Sequence, residues 1–182
     1  MANRTTVRTW HNGADVEIRL YVQSLRKAAR SLVEKLEGEQ NTQTEWDTCP
    51  VVLLYRQALE LHLKTLVGEG SNFLKSRTDP ISLYQTHSLR WLAQIVCQII
   101  KAVRWERNFT CDGISNLAQF SALVNVVESL DPVTRAVLPS RAGGAFNFVP
   151  FARRMDALLD LLDVTADALA AMWDEGRFRA DD

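Results

Sequence analysis

Arg56, Glu60 and Lys64 stand at i, i+4 and i+8 in the most apolar stretch of the chain. On an α-helix these positions form one line, so the middle carboxylate can satisfy either cation and the set can sit at a partly buried seam. His62 lies in the same stretch but falls within its apolar arc. His87 follows at the first turn of a later helix, where it could face the line. Two uses of His87 stay open: a proton-transfer group, or a pin that bonds Glu60 or a loop carbonyl and holds two helices together. Arg56 and His62 have five residues between them in the chain, which places them about 120° apart on a helical wheel. They are either a catalytic pair or, separately, a seam arginine and a packed core histidine.

Two charged lines form a second set. Arg19, Arg26 and Arg30 recur along one side of the first helix, and Asp156, Asp160, Asp163, Asp167 and Asp174 recur along the last. With Lys64 and Arg90, the arginines are candidates for contact with a nucleic-acid backbone. They could also pair with the acidic helix of another subunit, or simply be solvated. Carboxylates at helical spacing bind iron or manganese when Glu-x-x-His partners accompany them, and there are none here. The acidic line therefore reads as a solvated face, and neither a metal nor a cofactor is expected. Gly143-Gly144 lacks the Lys-Ser/Thr of a phosphate-cradling loop. Cys49, Cys97 and Cys111 include no C-x-x-C pair and an odd thiol, which argues against a disulfide framework or a structural zinc site.

The elements that must position these residues follow from periodicity. Ile18, Tyr21, Val22, Leu25, Ala28, Ala29, Leu32, Val33 and Leu36 predict one buried face on a helix from about Asp15 to Leu36, after a loose arm over 1–14 that ends in His11-Asn12-Gly13. A second helix is expected to enter through Asp47-Thr48-Cys49-Pro50, with the proline in its first turn, and to run to about Val67, stopping at Gly68-Glu69-Gly70. Its apolar side chains cover more than half the circumference, so it should be central. A third helix starts near Thr86 as N-cap, a fourth spans Ser115 to Leu130, and the last opens at Pro150. Residues 76–80 read as a loop and 132–149 as an irregular connection. The fold class is all-α: a single domain over 1–182, a bundle of four to five helices, mostly antiparallel neighbours.

Composition fits a globular chain, with 47% hydrophobic and 24% charged residues and a formal net charge of −1. No global field singles out nucleic acid. Locally, though, the first 30 residues hold five arginines and a lysine, while seven of the twelve aspartates follow Pro150. No apolar run approaches the roughly 20 residues of a membrane span, and no secretory signal opens the chain, so no membrane partner and a cytoplasmic location are expected.

The run Tyr55-Arg56-Gln57-Ala58-Leu59-Glu60-Leu61-His62-Leu63-Lys64, followed by Thr86-His87-Ser88-Leu89-Arg90-Trp91-Leu92, resembles bacterial members of the HEPN superfamily, as do the later Leu130-Asp131-Pro132 and the arginines after it. In these an Arg-x-x-x-Glu-x-x-x-Lys helix precedes a His-x-Leu-x-x-Leu helix. The resemblance implies a HEPN-like bundle, often a homodimer, and membership of toxin–antitoxin or other defence modules with a cognate protein partner. Active members are metal-independent ribonucleases with an Arg-x4-6-His motif, in which histidine moves a proton and arginine stabilises the phosphorane. That motif belongs to a later helix, and the last helix here has no histidine. The expectation is a domain that binds or cleaves RNA or nucleotide, with Arg56, Glu60, His62 and His87 as candidate catalytic residues. Its rival is a non-catalytic module that dimerises or binds a partner protein.

Overall fold

The computed structural model describes residues 5–38, 45–74, 83, 85–130 and 147–175. The organising element is α2 (Glu45–Gly70). Val51, Val52, Tyr55, Ala58, Leu59, Leu63, Leu66 and Val67 are all buried and take up about half of its circumference, and the buried Glu60, His62, Lys64 and Thr65 widen the covered arc. A helix apolar on so many sides must be covered on as many. Accordingly α2 contacts each of the other four described helices: α1 (Thr5–Gly38), α3 (Leu89–Ala102), α4 (Leu117–Ser129) and α5 (Phe148–Asp174). The chain is all-helical among the described residues, apart from an isolated bridge between Cys111 and Ile114. No described helix is long and apolar enough to cross a membrane.

Several boundaries differ from those the sequence predicts. α1 starts at Thr5, so residues 5–14 are helical rather than a loose arm, and the helix runs through His11-Asn12-Gly13. Once a helix is nucleated, each added residue gains a hydrogen bond for one fixed backbone, and this outweighs a local turn preference. α2 begins five residues before Pro50, which lies in its second turn, and it continues past Gly68 to Gly70. Gly70 is required by packing: a Cβ there would lie 2.6 Å from Ile99 Cδ1, so its bare backbone lets α3 approach. The N-cap of α3 is Ser88 rather than Thr86, its hydroxyl accepting from Trp91 N at 3.3 Å. Asn116 caps α4 by accepting from Gln119 N at 2.9 Å. α5 opens at Phe148, two residues before Pro150. Residues 1–4, the loop expected over 76–80, and 132–146 of the expected irregular connection lie outside the described residues.

Only half of the apolar face expected on α1 is buried. Val22, Ala29, Val33 and Leu36 enter the core, Ile18, Leu25 and Leu32 are half-buried, and Tyr21 and Ala28 are exposed.

Three of the packed pairs are antiparallel, as the sequence predicts, and two are parallel. α1 runs against α2 and α5, and α4 runs against α3, but α3 and α5 both run parallel to α2. Contacts from Glu60 to His87 and from Gly70 to Ile99 set the first parallel pair. Contacts from Tyr55 to Phe151, His62 to Asp163, and Phe73 to Trp173 set the second. Parallel neighbours require the chain to return the length of a helix, and between α3 and α5 it is the antiparallel α4 that makes that return.

Candidate functional site

Glu60 is 2% exposed, on the side of α2 that faces the start of α3. An ionised carboxylate so deep must be paired, because losing its hydration costs several kcal/mol. Lys64, one turn on and itself buried, donates from Nζ to Oε1 at 2.7 Å. His87 places Nδ1 2.9 Å from the same oxygen, and Arg56 Nη1 lies 3.8 Å from Oε2. Arg56, Glu60, Lys64 and His87, read from sequence as a line and a facing histidine, are therefore brought together, and His62 is not among them.

The proton inventory at His87 follows from this geometry. A carboxylate that accepts from Lys64 can only accept from the ring as well, so Nδ1 carries the hydrogen. In the neutral ring Nε2 then holds the lone pair. The His87 side chain is 73% exposed while Glu60 is 3%, so the oriented imidazole faces solvent with its anchor beneath it. A ring fixed through Nδ1 with an available Nε2 is suited to general acid–base work. Beside it, Ser88 Oγ donates to Glu128 Oε1 at 2.9 Å. Arg90 Nε donates to Asn125 Oδ1 at 3.0 Å and lies 3.6 Å from Glu128 Oε2, its side chain 64% exposed. Arg90 is thus steadied by α4 yet open to a ligand. Arg56 keeps a buried Nε with no hydrogen-bond partner.

His62 is turned elsewhere. It is 4% exposed, with Nε2 2.8 Å from Asp163 Oδ1 on α5. Burial alone would raise the Asp163 pKa, but the bond to His62 and the charges of His62, Arg19 and Arg26 outweigh it and hold the carboxyl below its usual range. His62 Nδ1 is buried without a partner. Arg56 and His62 do not meet: one belongs to the α3 side of α2, the other to the α5 side.

The acidic line, read from sequence as a solvated face, meets the arginine line, whose alternatives were a nucleic-acid backbone, another subunit's acidic helix or solvent. Arg26 donates from Nε to Asp156 Oδ1 at 2.7 Å, from Nη1 to Asp160 Oδ1 at 2.6 Å, and from Nη2 to the Asp156 carbonyl at 3.0 Å. Arg30 Nε reaches Asp156 Oδ2 at 2.9 Å. Arg19 bonds Asp167 at 2.7 Å and Glu69 at 3.5 Å. Burial lowers the Arg26 pKa, but its bonds to Asp160 and Asp156 raise it further, so its charge is fixed. These three arginines clasp α1 to α5 within one chain. Asp156 also acts on Tyr55 beneath it, where burial first and then the carboxylate push the phenol's pKa upward.

Sequence reading missed Asp156 and Asp163 as partners, together with Ser88, Asn125 and Glu128. The matched seven-residue spacing of Arg19 and Arg26 with Asp160 and Asp167 was the available signal. No family model matches the chain, and no curated protein or solved structure does either.

Proposed function

We infer that the chain is a HEPN-like helical domain that acts on the phosphodiester of RNA or a nucleotide, with His87 as its proton-transfer group. One observation carries this reading: a buried carboxylate holds Nδ1 of a histidine whose ring is otherwise in solvent. In this scheme Nε2 takes the proton of a ribose 2′-hydroxyl as the 2′-oxygen bonds to phosphorus. The bond to the 5′-oxygen breaks, and the imidazolium returns the proton to that leaving oxygen. A 2′,3′-cyclic phosphate remains, with no metal required. Arg90, one turn on from His87 and exposed, and Arg56, at the other oxygen of Glu60, are the candidate cations for the phosphorane charge. The resemblance adds a setting, a toxin–antitoxin or defence module.

The test is incubation of purified protein with total RNA in chelator, scored for 2′,3′-cyclic phosphate ends. His87→Asn keeps an N–H for Glu60 but cannot shuttle a proton, so the fold persists while cleavage falls roughly 100-fold or more. No cleavage by the unaltered protein, with no thermal shift on adding nucleotides, overturns the proposal.

A second reading, a non-catalytic partner-binding module, is favoured by the internal use of Arg19, Arg26 and Arg30, which removes them from any backbone-tracking surface. Retention of the melting temperature in His87→Ala, with no RNA phenotype, would support it.

A further inference from the structure

Lys64, read from sequence as a nucleic-acid contact, has a side chain only 7% exposed, so it does not meet a ligand in solvent. Its Nζ lies 2.7 Å from Glu60 Oε1, the same oxygen that His87 Nδ1 approaches to 2.9 Å. One buried oxygen thus takes two neighbours, one from its own helix and one from the start of α3. They differ in kind. An ammonium has three hydrogens and no lone pair, so it can only donate. An imidazole can donate or accept at either nitrogen, and its partner decides which. Lys64 is the fixed neighbour of Oε1, and His87 is the adjustable one.

We propose that Lys64 is a positioning residue that selects the tautomer of His87. This rests on the reading of His87 as the proton-transfer group. The Glu60 carboxylate, 3% exposed, needs a cation beside it. Lys64 supplies one within the bundle. Arg56 Nη1, at 3.8 Å from the other oxygen, is beyond hydrogen-bond distance and does not replace it. The other charged groups at this end of α3 are committed to α4: Arg90 Nε donates to Asn125 Oδ1, and Glu128 Oε1 accepts from Ser88 Oγ. His87 is thereby released from supplying the charge. Its ring stays neutral, gives the Nδ1 hydrogen to Oε1 and keeps the Nε2 lone pair toward solvent. Without Lys64, Glu60 can be settled in two ways. In one, His87 becomes the imidazolium partner and carries a hydrogen on both nitrogens. In the other, Glu60 takes a proton on Oε1 and donates it to Nδ1, which moves the ring's hydrogen to Nε2. Both leave Nε2 unable to accept from a 2′-hydroxyl.

The tautomer is read by long-range ¹H–¹⁵N correlation on protein labelled with ¹⁵N-histidine, without RNA, at about pH 8, above the ordinary histidine range. The chain has three histidines, and His87→Asn identifies the His87 signals by their loss. The unaltered protein should show hydrogen on Nδ1 and a bare Nε2, and Lys64→Met should show hydrogen on Nε2. In RNA cleavage Lys64→Met should lower kcat roughly 100-fold and leave KM within about threefold, because Lys64 touches Glu60 and not RNA. A phosphate ligand would instead raise KM and flatten the salt dependence of binding. Should Lys64→Met fail to fold, Glu60→Gln/Lys64→Met removes both buried charges together. Its amide can donate or accept, so His87 should then show a mixture of tautomers. A bare Nε2 in either variant, a hydrogen on Nε2 in the unaltered protein, or a loss confined to KM overturns the proposal. Absence of cleavage by the unaltered protein sinks the ribonuclease reading by itself, since the ¹⁵N spectra still decide what Lys64 does to His87.

Discussion

Arg104 is the one described non-glycine residue in left-handed backbone, at φ 56°. It follows α3, whose end is closed by Arg104 N donating to the Lys101 carbonyl at 3.1 Å and Trp105 N to the Ile100 carbonyl at 2.9 Å. This is the helix-ending loop in which glycine is preferred because a Cβ crowds the following carbonyl. Arg104→Gly should stabilise the protein by about 0.5–1 kcal/mol, the strain relief being partly offset by the freer unfolded chain. Urea titration measures it. Asp163 gives the residue-scale prediction for pH. Its folded pKa is depressed, so the unfolded chain binds the extra proton first. Its stabilisation is complete above the ordinary carboxylate value of 3.8 and is lost as pH falls through the lower folded value. Asp163→Asn should remove this component from the acid limb of stability, read from urea midpoints between neutral and acid pH.

At the scale of elements, two glycines at the end of α2 behave oppositely. Nothing lies within 4 Å of a Cβ built on Gly68, whereas one on Gly70 collides with Ile99. Gly68→Ala should therefore stabilise by up to about 1 kcal/mol through helix propensity, and Gly70→Ala should destabilise by about 1–3 kcal/mol through overpacking. Thermal unfolding compares the pair. The α1–α5 clasp is graded in the same way. The Arg26 side chain is 12% exposed with three bonds, and Arg30 is 49% exposed with one. Arg26→Ala should cost about 2–4 kcal/mol, and Arg30→Ala less than about 1 kcal/mol. The helices themselves were legible in the sequence because their apolar repeats are long, and α2's central place followed from its apolar circumference. Their ends were less so. Pro50 and Gly68-Glu69-Gly70 signal boundaries by local preference, but packing against α3 and continued helix propagation decide the outcome.

At the scale of the molecule, the sequence announced that charges were segregated but not that the segregated halves touch. Periodicity fixes which face a residue occupies, not which helix it faces. The aspartate line read as solvated, and the arginine line as open to a nucleic-acid backbone, another subunit's acidic helix or solvent, until α1 and α5 were seen side by side. The Glu60 line was readable because its members lie on one helix. Its fourth member, His87, required α3 to start beside Glu60, which follows from the parallel placement of α3. The same clasp has a temporal consequence. Arg19 and Asp167 are 148 residues apart, and Arg26 and Asp156 are 130 apart. During synthesis, at about 5–20 residues per second, α1 and the α5-facing side of α2 wait unmatched until the last helix emerges. A chain halted before Phe148 leaves Tyr55 without Phe151 and His62 without Asp163. Its protease sensitivity should be abolished only when α5 is added. The last helix to be made is the one that locks the first.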